Sequence, residues 1–357
     1  LHRLIRRQRQ MCIRDRNIIA CAGVLLLHST NGPVHNFNGN VNFDWFIGLF
    51  SHSFFLWPVN VFFMLSGITM MRTCYEMTCK GEIKQYYLKR LNRLGYPLLM
   101  WSLIYLLIKI VVKDEPINII PLLMKVLTFK ANGFMWFFMP LIVIYLSMPF
   151  LSLFVVNAKK IILDWYMVLG LVLPTISQIL YPQSLRDSYY VFGTGYLYFV
   201  VAGYYIGTIG IAEKVRKGLY WVSFLSAIFI FVATYWLTLY YPEHYRTFLS
   251  YLTLPCTLTA LGVFTLFRYV DWNTILYNFH LTPHECALFS SFSLGIYLVQ
   301  LFWFMFLNYF HLCVGHPLIR FGVMYVLCLF SVYIPVSYTL LRAHETRGNL
   351  VCRLLLE

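Results

Sequence analysis

The sequence predicts an all-α fold, a polytopic bundle of about ten helices embedded in a membrane. Composition gives the first reason: 60% of the 357 residues are hydrophobic and 12% are charged, whereas a soluble domain carries roughly 25% charged residues. The second reason is the pattern, because apolar runs of about 18 residues or more, each able to cross a bilayer as a helix, recur along the chain. The alternating segments of about ten residues that mark a transmembrane barrel are absent.

The apolar runs extend from one end of the chain to the other. We predict spanning helices centred near residues 22, 64, 102, 145, 172, 200, 229, 259, 299 and 330. The first helix is expected at about 14–30, followed by an irregular loop rich in Asn and Gly at 31–42. Pro58 is expected to separate an interfacial aromatic segment from the second spanning helix. The segment INIIPLLMKVLTF is too short to span and predicts an interfacial or re-entrant helix.

The net charge of +14 follows the predicted topology. Of the 28 Lys and Arg residues, 21 lie in segments predicted to share a side with the N-terminus, namely 1–16, 72–93, 157–161, 212–218, 268–286 and 342–357. This is the positive-inside bias of membrane proteins. It predicts that both termini are cytoplasmic, and it argues against a nucleic-acid partner.

Both ends of the chain differ in character from the rest. The stretches LHRLIRRQRQMCIRDR and VSYTLLRAHETRGNLVCRLLLE resemble translated sequencing-adapter read-through. We therefore interpret 1–16 and 336–357 as additions that are not native, which leaves 17–335 as one transmembrane domain. Without the two ends, 12 basic residues remain on the inner side against 7 on the outer, so the predicted orientation is unchanged.

His28 closes the first apolar run, NIIACAGVLLLHST. An ionisable side chain at membrane depth is costly, and it usually faces the bundle interior or a wet cavity for a functional reason. An imidazole of ordinary pKa is suited to act near neutral pH as a general base on a hydroxyl group. The alternative is a histidine near a helix end that hydrogen-bonds to a neighbour or to interfacial water.

A second candidate site is the pair Arg90 and Arg93 in LKRLNRLGYP. Three residues apart on a regular helix, they share a face near the predicted cytoplasmic rim. Two guanidinium groups at this spacing suit phosphate groups, which they can bind in a bidentate manner. The alternative is topological, because basic residues flank most cytoplasmic helix ends.

Other polar and aromatic positions give weaker signals. Ser66 and Gly67 lie within a predicted helix, where small residues allow close helix packing. Trp136 lies where an interfacial aromatic belt is expected, and Tyr297 and Gln300 place polar groups in an apolar helix. The nine cysteines are scattered and match no common zinc pattern, so we predict ordinary thiols and no metal site.

In combination, these blocks resemble the membrane acyltransferase-3 family, in particular its surface-polysaccharide O-acetyltransferases. The resemblance covers residues 17 to about 335 and rests on five blocks in order: IIACAGVLLLH, VNVFFMLSG, KRLNRLGYPLLMW, MWFFMPLIVIYLSMPFL and SFSLGIYLVQLF. The five blocks occur in register with the ten predicted spans.

The resemblance implies roles for particular residues. His28 corresponds to the essential histidine of the family, and Arg90 and Arg93 to paired arginines proposed to contact the acyl donor. The family has a basic residue eleven positions before the histidine, where this chain has Asn17; eleven residues return to within about 20° of the same helix face. Arg16 precedes Asn17 and lies about 120° round the helix from His28, so donor binding at this position is open.

Ser66, Trp136 and Tyr297 are expected to line the substrate pocket, while Gln300, where the family often has His, is given no catalytic role.

The function that the resemblance implies is transfer of an acyl group, in the first place acetyl, from acyl-CoA to a hydroxyl group of a cell-surface sugar or glycan. The implied partners are the acyl-CoA co-substrate, the glycan acceptor and the lipid bilayer. No metal or prosthetic group is needed, and the implied location is the bacterial cytoplasmic membrane.

Three alternatives belong to other classes. A secondary transporter often shows inverted repeats and broken helices in matching positions of its two halves, and neither is visible in this sequence. An inactive remnant of the acyltransferase fold would follow if Asn17 has abolished donor binding. A structural or sensory membrane protein would show neither hydrolysis nor transfer of an acyl-CoA.

Overall fold

The computed structural model describes the backbone of residues 2–35, 37, 41–113, 119–128, 133–180, 195–272, 274, 278, 282–310, 312 and 315–333. Side chains are described throughout these ranges except at 2–16, 112–113, 119, 134, 177–180, 283–284 and 286–287. The tail 336–357 and the side chains of 1–16 therefore lie outside the described part. Within it the chain forms helices and no strand, which confirms the predicted all-α class.

The described residues form a succession of helices. In chain order they are α1 (His2–His35), α2 (Phe43–Phe55), α3 (Pro58–Tyr75), α4 (Lys80–Arg90), α5 (Tyr96–Lys113), α6 (Ile119–Leu127), α7 (Phe138–Asn157), α8 (Lys160–Leu180), α9 (Tyr196–Tyr204), α10 (Glu213–Tyr240), α11 (Leu254–Tyr269), α12 (Pro283–Tyr309) and α13 (Pro317–Tyr333). Each of the ten predicted centres falls inside one of them. The short apolar helix expected before residue 130 is α6.

The surface of these helices is that of an integral membrane protein. Five helical segments of the described chain are long and apolar enough to cross a membrane: Phe43–Tyr75, Lys80–Val111, Met135–Asn157, Glu213–Tyr240 and Leu288–Tyr309. Large apolar side chains point outward from several of them; Phe154, for example, is 76% exposed. Contiguous exposed apolar surface of this kind is rare on soluble monomers and is accommodated by lipid. A helix also satisfies its own backbone hydrogen bonds, as the bilayer interior requires.

The first helix is longer at both ends than the predicted 14–30. Its extension to His35 carries it through Asn31, Gly32 and Pro33, which the sequence predicted to be irregular. Packing explains the difference, because Val34 is 1% exposed and its Cγ2 would lie 2.7 Å from a Cβ added to Gly48 of α2. Tertiary contact here outweighs the turn preference of the local sequence.

The break expected at Pro58 is confirmed. The aromatic segment before the proline is α2, which ends at Phe55, and α3 begins at Pro58 itself. Proline suits the first turn of a helix because the missing N–H is one that the helix could not pair.

The helices divide into two compact units, Leu1–Phe55 with Asp271–Glu357, and Leu56–Val270. In the first unit α1 packs against α2 and α12. The thiol of Cys21 donates to the Ser293 carbonyl at 3.7 Å. Trp303 Nε1 donates to Ser331 Oγ at 2.9 Å and joins α12 to α13.

The second unit is organised by the crossing of α3 and α9. A Cβ added to Gly67 would lie 1.9 Å from the Val200 carbonyl oxygen, and one added to Gly203 would lie 2.0 Å from that of Met64. The two backbones therefore meet with no side chain between them. Small residues permit this approach between membrane helices, as the Ser66–Gly67 pair predicts.

We predict that Gly67→Ala destabilises the protein strongly. The new methyl group would collide with backbone rather than with a flexible side chain, and overpacking typically costs about 1–3 kcal/mol. The measurement is the thermal unfolding midpoint of the purified protein in detergent. Gly218→Ala is the matched control, because a Cβ at Gly218 of α10 meets nothing within 4 Å. Equal midpoints for the two variants would contradict the close crossing.

Candidate functional site

His28 lies in the first unit, where α1 faces α12. Its side chain is partly buried, and its ring centroid lies 6.5 Å from that of Tyr297 at an interplanar angle of 57°. Its side chain also hydrogen-bonds to that of Gln300. Gln300 is 1% exposed, and its Nε2 donates to the Tyr297 carbonyl at 3.1 Å. The imidazole is therefore held between a phenol and an amide of one helix.

Two further histidines, His35 and His52, lie near this position, and neither was identified from the sequence. His52 of α2 is 6% exposed and hydrogen-bonds to the backbone of Leu27, the residue before His28. The His35 and His52 rings meet edge to face at a centroid distance of 5.6 Å, and His28 lies within electrostatic range of His52. The spacing of seven residues between His28 and His35, which places both on one helical face, was a signal that could have indicated the cluster.

Asn17 lies on α1 eleven residues before His28, about 16 Å along the helix axis. Its Nδ2 donates to Ser290 Oγ of α12 at 3.4 Å. An amide at this place offers hydrogen bonds but no charge. The side chain of the neighbouring Arg16 lies outside the described residues.

Arg90 lies in the second unit, at the end of α4, against a set of polarisable side chains. Its Cζ lies 4.5 Å from the ring centroid of Tyr86 and 5.8 Å from that of Tyr145. One N–H, at Nη2, donates to Met70 Sδ at 3.0 Å. Aromatic faces attract a guanidinium at these distances without occupying its N–H edge, so the planar fork keeps donors for an anion.

Arg93 is exposed and lies in a π turn, Leu91–Gly95, that joins α4 to α5. The sequence predicted a regular helix here. Pro97 explains the difference, because proline has no N–H to give to the carbonyl four residues earlier, that of Arg93. The Tyr96 N–H bonds instead to the Leu91 carbonyl, five residues back. π turns of this kind occur frequently at functional sites.

Tyr145 of α7 connects the arginines to Ser66, and no pattern in the sequence singled it out. Arg90 and Arg93 both lie within electrostatic range of its phenol, which hydrogen-bonds to the Ser66 side chain. Ser66 Oγ is itself within hydrogen-bond distance of the Phe62 carbonyl, at 3.1 Å. The structure thus brings three predicted residues, Arg90, Arg93 and Ser66, together around Tyr145, which was not predicted.

Trp136 lies in a different part of the second unit, in the 3-10 turn Gly133–Phe137 before α7. Its ring stacks on Tyr251 at a centroid distance of 5.2 Å and lies 6.1 Å from Tyr196. Asn60 of α3 is fully buried beside them, and its Nδ2 donates to the Tyr251 carbonyl at 2.8 Å. Asn60 precedes Met70 by ten residues, or about 15 Å along α3.

The predicted residues therefore fall into three groups. His28, Asn17 and Tyr297 lie in the first unit; Arg90, Arg93 and Ser66 form one cluster of the second unit; and Trp136 belongs to a separate aromatic cluster of that unit. Across the described residues, no group of three or more His, Cys, Asp or Glu side chains is arranged to hold a metal ion.

The helices and their polar clusters define a polytopic membrane protein with an imidazole held inside one bundle and paired arginines at a helix junction of the other. A family model described as "Acyltransferase domain" matches residues 18–342. The chain belongs to the acyltransferase-3 family, as its sequence blocks predicted, and is a membrane acyltransferase. No curated protein sequence and no solved structure matches it significantly.

We predict that Gln300→Leu lowers the stability of the protein by about 1–3 kcal/mol, because the His28 side chain would lose its hydrogen bond to the Gln300 amide inside the bundle. The measurement is again the thermal unfolding midpoint in detergent. Gln85→Leu makes the same chemical change at an exposed position of α4 and is expected to leave the midpoint nearly unchanged. If both variants unfold at the same temperature, the Gln300 contacts contribute nothing to the fold.

Proposed function

We propose that this acyltransferase moves an acyl group, in the first place acetyl, from acyl-CoA to a hydroxyl group of a cell-surface sugar or glycan. The observation that carries the proposal is the environment of His28, an imidazole held by Gln300 and Tyr297 within the part of the chain that the family model covers. A general base must be fixed in position before it can act on a hydroxyl group, and these contacts supply that support.

The chemistry assigned to His28 is a balanced proton transfer. The imidazole removes the proton from the acceptor hydroxyl as the hydroxyl oxygen attacks the thioester carbonyl. The carbon–sulfur bond breaks, and the imidazolium returns the proton to the leaving CoA thiolate. The products are the sugar ester and free CoA, with the histidine unchanged.

Arg90 and Arg93 are the groups that we assign to the phosphates of the donor. Guanidinium forks match phosphate geometry, and charge-assisted hydrogen bonds are roughly twice as strong as neutral ones. The contacts of Arg90 with Tyr86 and Met70 support the assignment because they restrict the side chain before any ligand binds. Asn17 is assigned to the donor by its position in the family pattern, with hydrogen bonding but no charge.

The acceptor is assigned to the aromatic cluster around Trp136. Ligand sites are lined mainly by apolar and aromatic side chains with a few fixed polar groups. The stacked rings of Trp136 and Tyr251, next to the amide of Asn60, have this composition and suit the apolar face of a sugar ring. Ser66 and Tyr297 lie outside this aromatic cluster, and we assign them to the acceptor on the family's sequence blocks alone.

The proposed location is the bacterial cytoplasmic membrane, with both termini on the cytoplasmic side. The support is the distribution of Lys and Arg among the connecting segments. The mechanism needs no metal or prosthetic group, since the thioester supplies an activated acyl group and the imidazole supplies the base.

We predict that His28→Ala lowers the transfer of labelled acetyl from acetyl-CoA to cell-envelope glycan by about 10²–10⁴-fold, the contribution typical of a general base. The measurement is labelled glycan in membranes that express equal amounts of each variant. His244→Ala, at an exposed histidine before α11, is the matched control and is expected to retain full activity. Equal labelling with and without His28 would exclude this residue as the base and favour a transporter or an inactive remnant.

We predict that Asn17→Arg increases transfer, because a charged contact to phosphate is worth more than a neutral hydrogen bond, here about tenfold in donor affinity. The measurement is the acetyl-CoA concentration dependence of labelling, compared with that of Asn17→Gln, which keeps a neutral amide. Transfer that appears only with Asn17→Arg would identify the chain with Asn17 as an inactive form. The same donor dependence for Arg and Gln would remove this position from the donor site.

A further inference from the structure

Tyr145 is the residue around which the basic cluster of the second unit is arranged. It lies in α7, whereas Arg90 ends α4, Arg93 lies in the following π turn and Ser66 lies in α3. These elements meet at one phenol. We propose that Tyr145 is a positioning residue of the donor site, which fixes the Arg90 guanidinium for a phosphate group; this inference rests on the donor assignment made above.

The ring of Tyr145 is the part that acts on Arg90. The guanidinium carbon lies 5.8 Å from the Tyr145 ring centroid and 4.5 Å from that of Tyr86, both within the range of a cation–π contact. Tyr86 is itself fixed, since its hydroxyl donates to the Tyr145 backbone carbonyl at 3.0 Å. The two rings thus form one assembly, and Met70 Sδ accepts an N–H of the same guanidinium.

The hydroxyl of Tyr145 forms a hydrogen bond with the side chain of Ser66. Ser66 precedes Gly67, whose backbone meets that of Val200 with no room for a methyl group. Tyr145 is therefore tied to the least adjustable point of the second unit. Its ring transmits that rigidity to the arginine, and a guanidinium already held in place loses less entropy when it binds phosphate.

Substitutions at Tyr145 separate the ring from the hydroxyl. Tyr145→Leu removes both and is expected to weaken CoA binding about tenfold, the scale of a partly desolvated cation–π contact. Tyr145→Phe keeps the ring, so it is expected to bind CoA within about threefold of the natural protein. It also preserves the shape of the side chain and guards against a general loss of folding.

The experiment measures the dissociation constant of CoA, without an acyl group, for the purified full-length protein in detergent. A double-mutant cycle pairs Tyr145→Leu with Arg90→Ala, because residues that act through each other give non-additive effects. The expected result is that Tyr145→Leu weakens binding in the natural background and adds almost nothing once Arg90 is gone. Inorganic pyrophosphate, used as a competitor, is expected to displace CoA less well from the Tyr145→Leu variant.

Tyr87→Leu is the matched control. Tyr87 lies next to Tyr86 in α4, and its hydroxyl donates to the Leu146 carbonyl of α7 at 3.1 Å, so it makes the same kind of helix contact. Among the described contacts it carries no guanidinium. Its loss is expected to leave CoA affinity unchanged, and the thermal midpoint of every variant is recorded alongside.

Three outcomes would overturn the inference. Additive losses from Tyr145→Leu and Arg90→Ala would show that Tyr145 does not act through the arginine. A loss with Tyr87→Leu equal to that with Tyr145→Leu would show only weakened helix packing. Failure of the natural protein to bind CoA would overturn the donor assignment and this inference with it, whereas the first two outcomes leave that assignment intact.

Discussion

The crossing of α3 and α9 places two glycines, Gly67 and Gly203, directly against the carbonyl groups of the opposite helix. Lipid provides no hydrophobic force between helices comparable to that in water, so close packing is one of the few forces that hold such a pair together. α3 also contacts α7 and carries Asn60, Ser66 and Met70 along its length. The aromatic cluster and the basic cluster of the second unit therefore both include residues of α3, and both depend on its position.

The first unit solves a different problem, which is to keep polar side chains inside an apolar bundle. A buried polar group is costly unless it is hydrogen-bonded. Gln300 meets this condition by bonding to the Tyr297 carbonyl and to His28, and His52 does so through the backbone of Leu27. These polar contacts lie between α1 and its two neighbours α2 and α12, so the groups that surround the imidazole also help to join the helices.

Helix positions could be predicted from the sequence because the bilayer imposes a length and a composition on every spanning segment. The failures were local. α1 continues through Asn31, Gly32 and Pro33 because Val34 is buried against α2. Local turn preferences do not include a tertiary contact of this kind. The π turn at Leu91–Gly95 depends on the single missing N–H of Pro97, whose effect on the helix register was not foreseen.

Candidate residues with unusual chemistry for their surroundings, such as His28, Arg90 and Arg93, could be selected from the sequence alone. Tyr145 could not, because in a chain with 27 tyrosines one more tyrosine in an apolar helix is unremarkable as a pattern. Its importance arises from contacts with Arg90, 55 positions earlier, and with Ser66, which is farther still. Gln300 was noticed but given no role, since its partner His28 lies at the other end of the sequence.

The π turn between α4 and α5 also determines which side of α5 meets the lipid. On α5 the exposed apolar side chains recur every fourth residue, at Leu99, Leu103, Leu107 and Val111, while Leu98, Ser102 and Tyr105 are buried. One residue corresponds to about 100° of helix rotation. If the same residues formed a regular α-helix instead of the π turn, α5 would rotate by about 100°, which would turn this apolar stripe away from the acyl chains and bring Ser102 towards them. The π turn thus sets both the relative placement of the two arginines and the face that α5 presents to lipid. A change in the geometry of the turn would alter both.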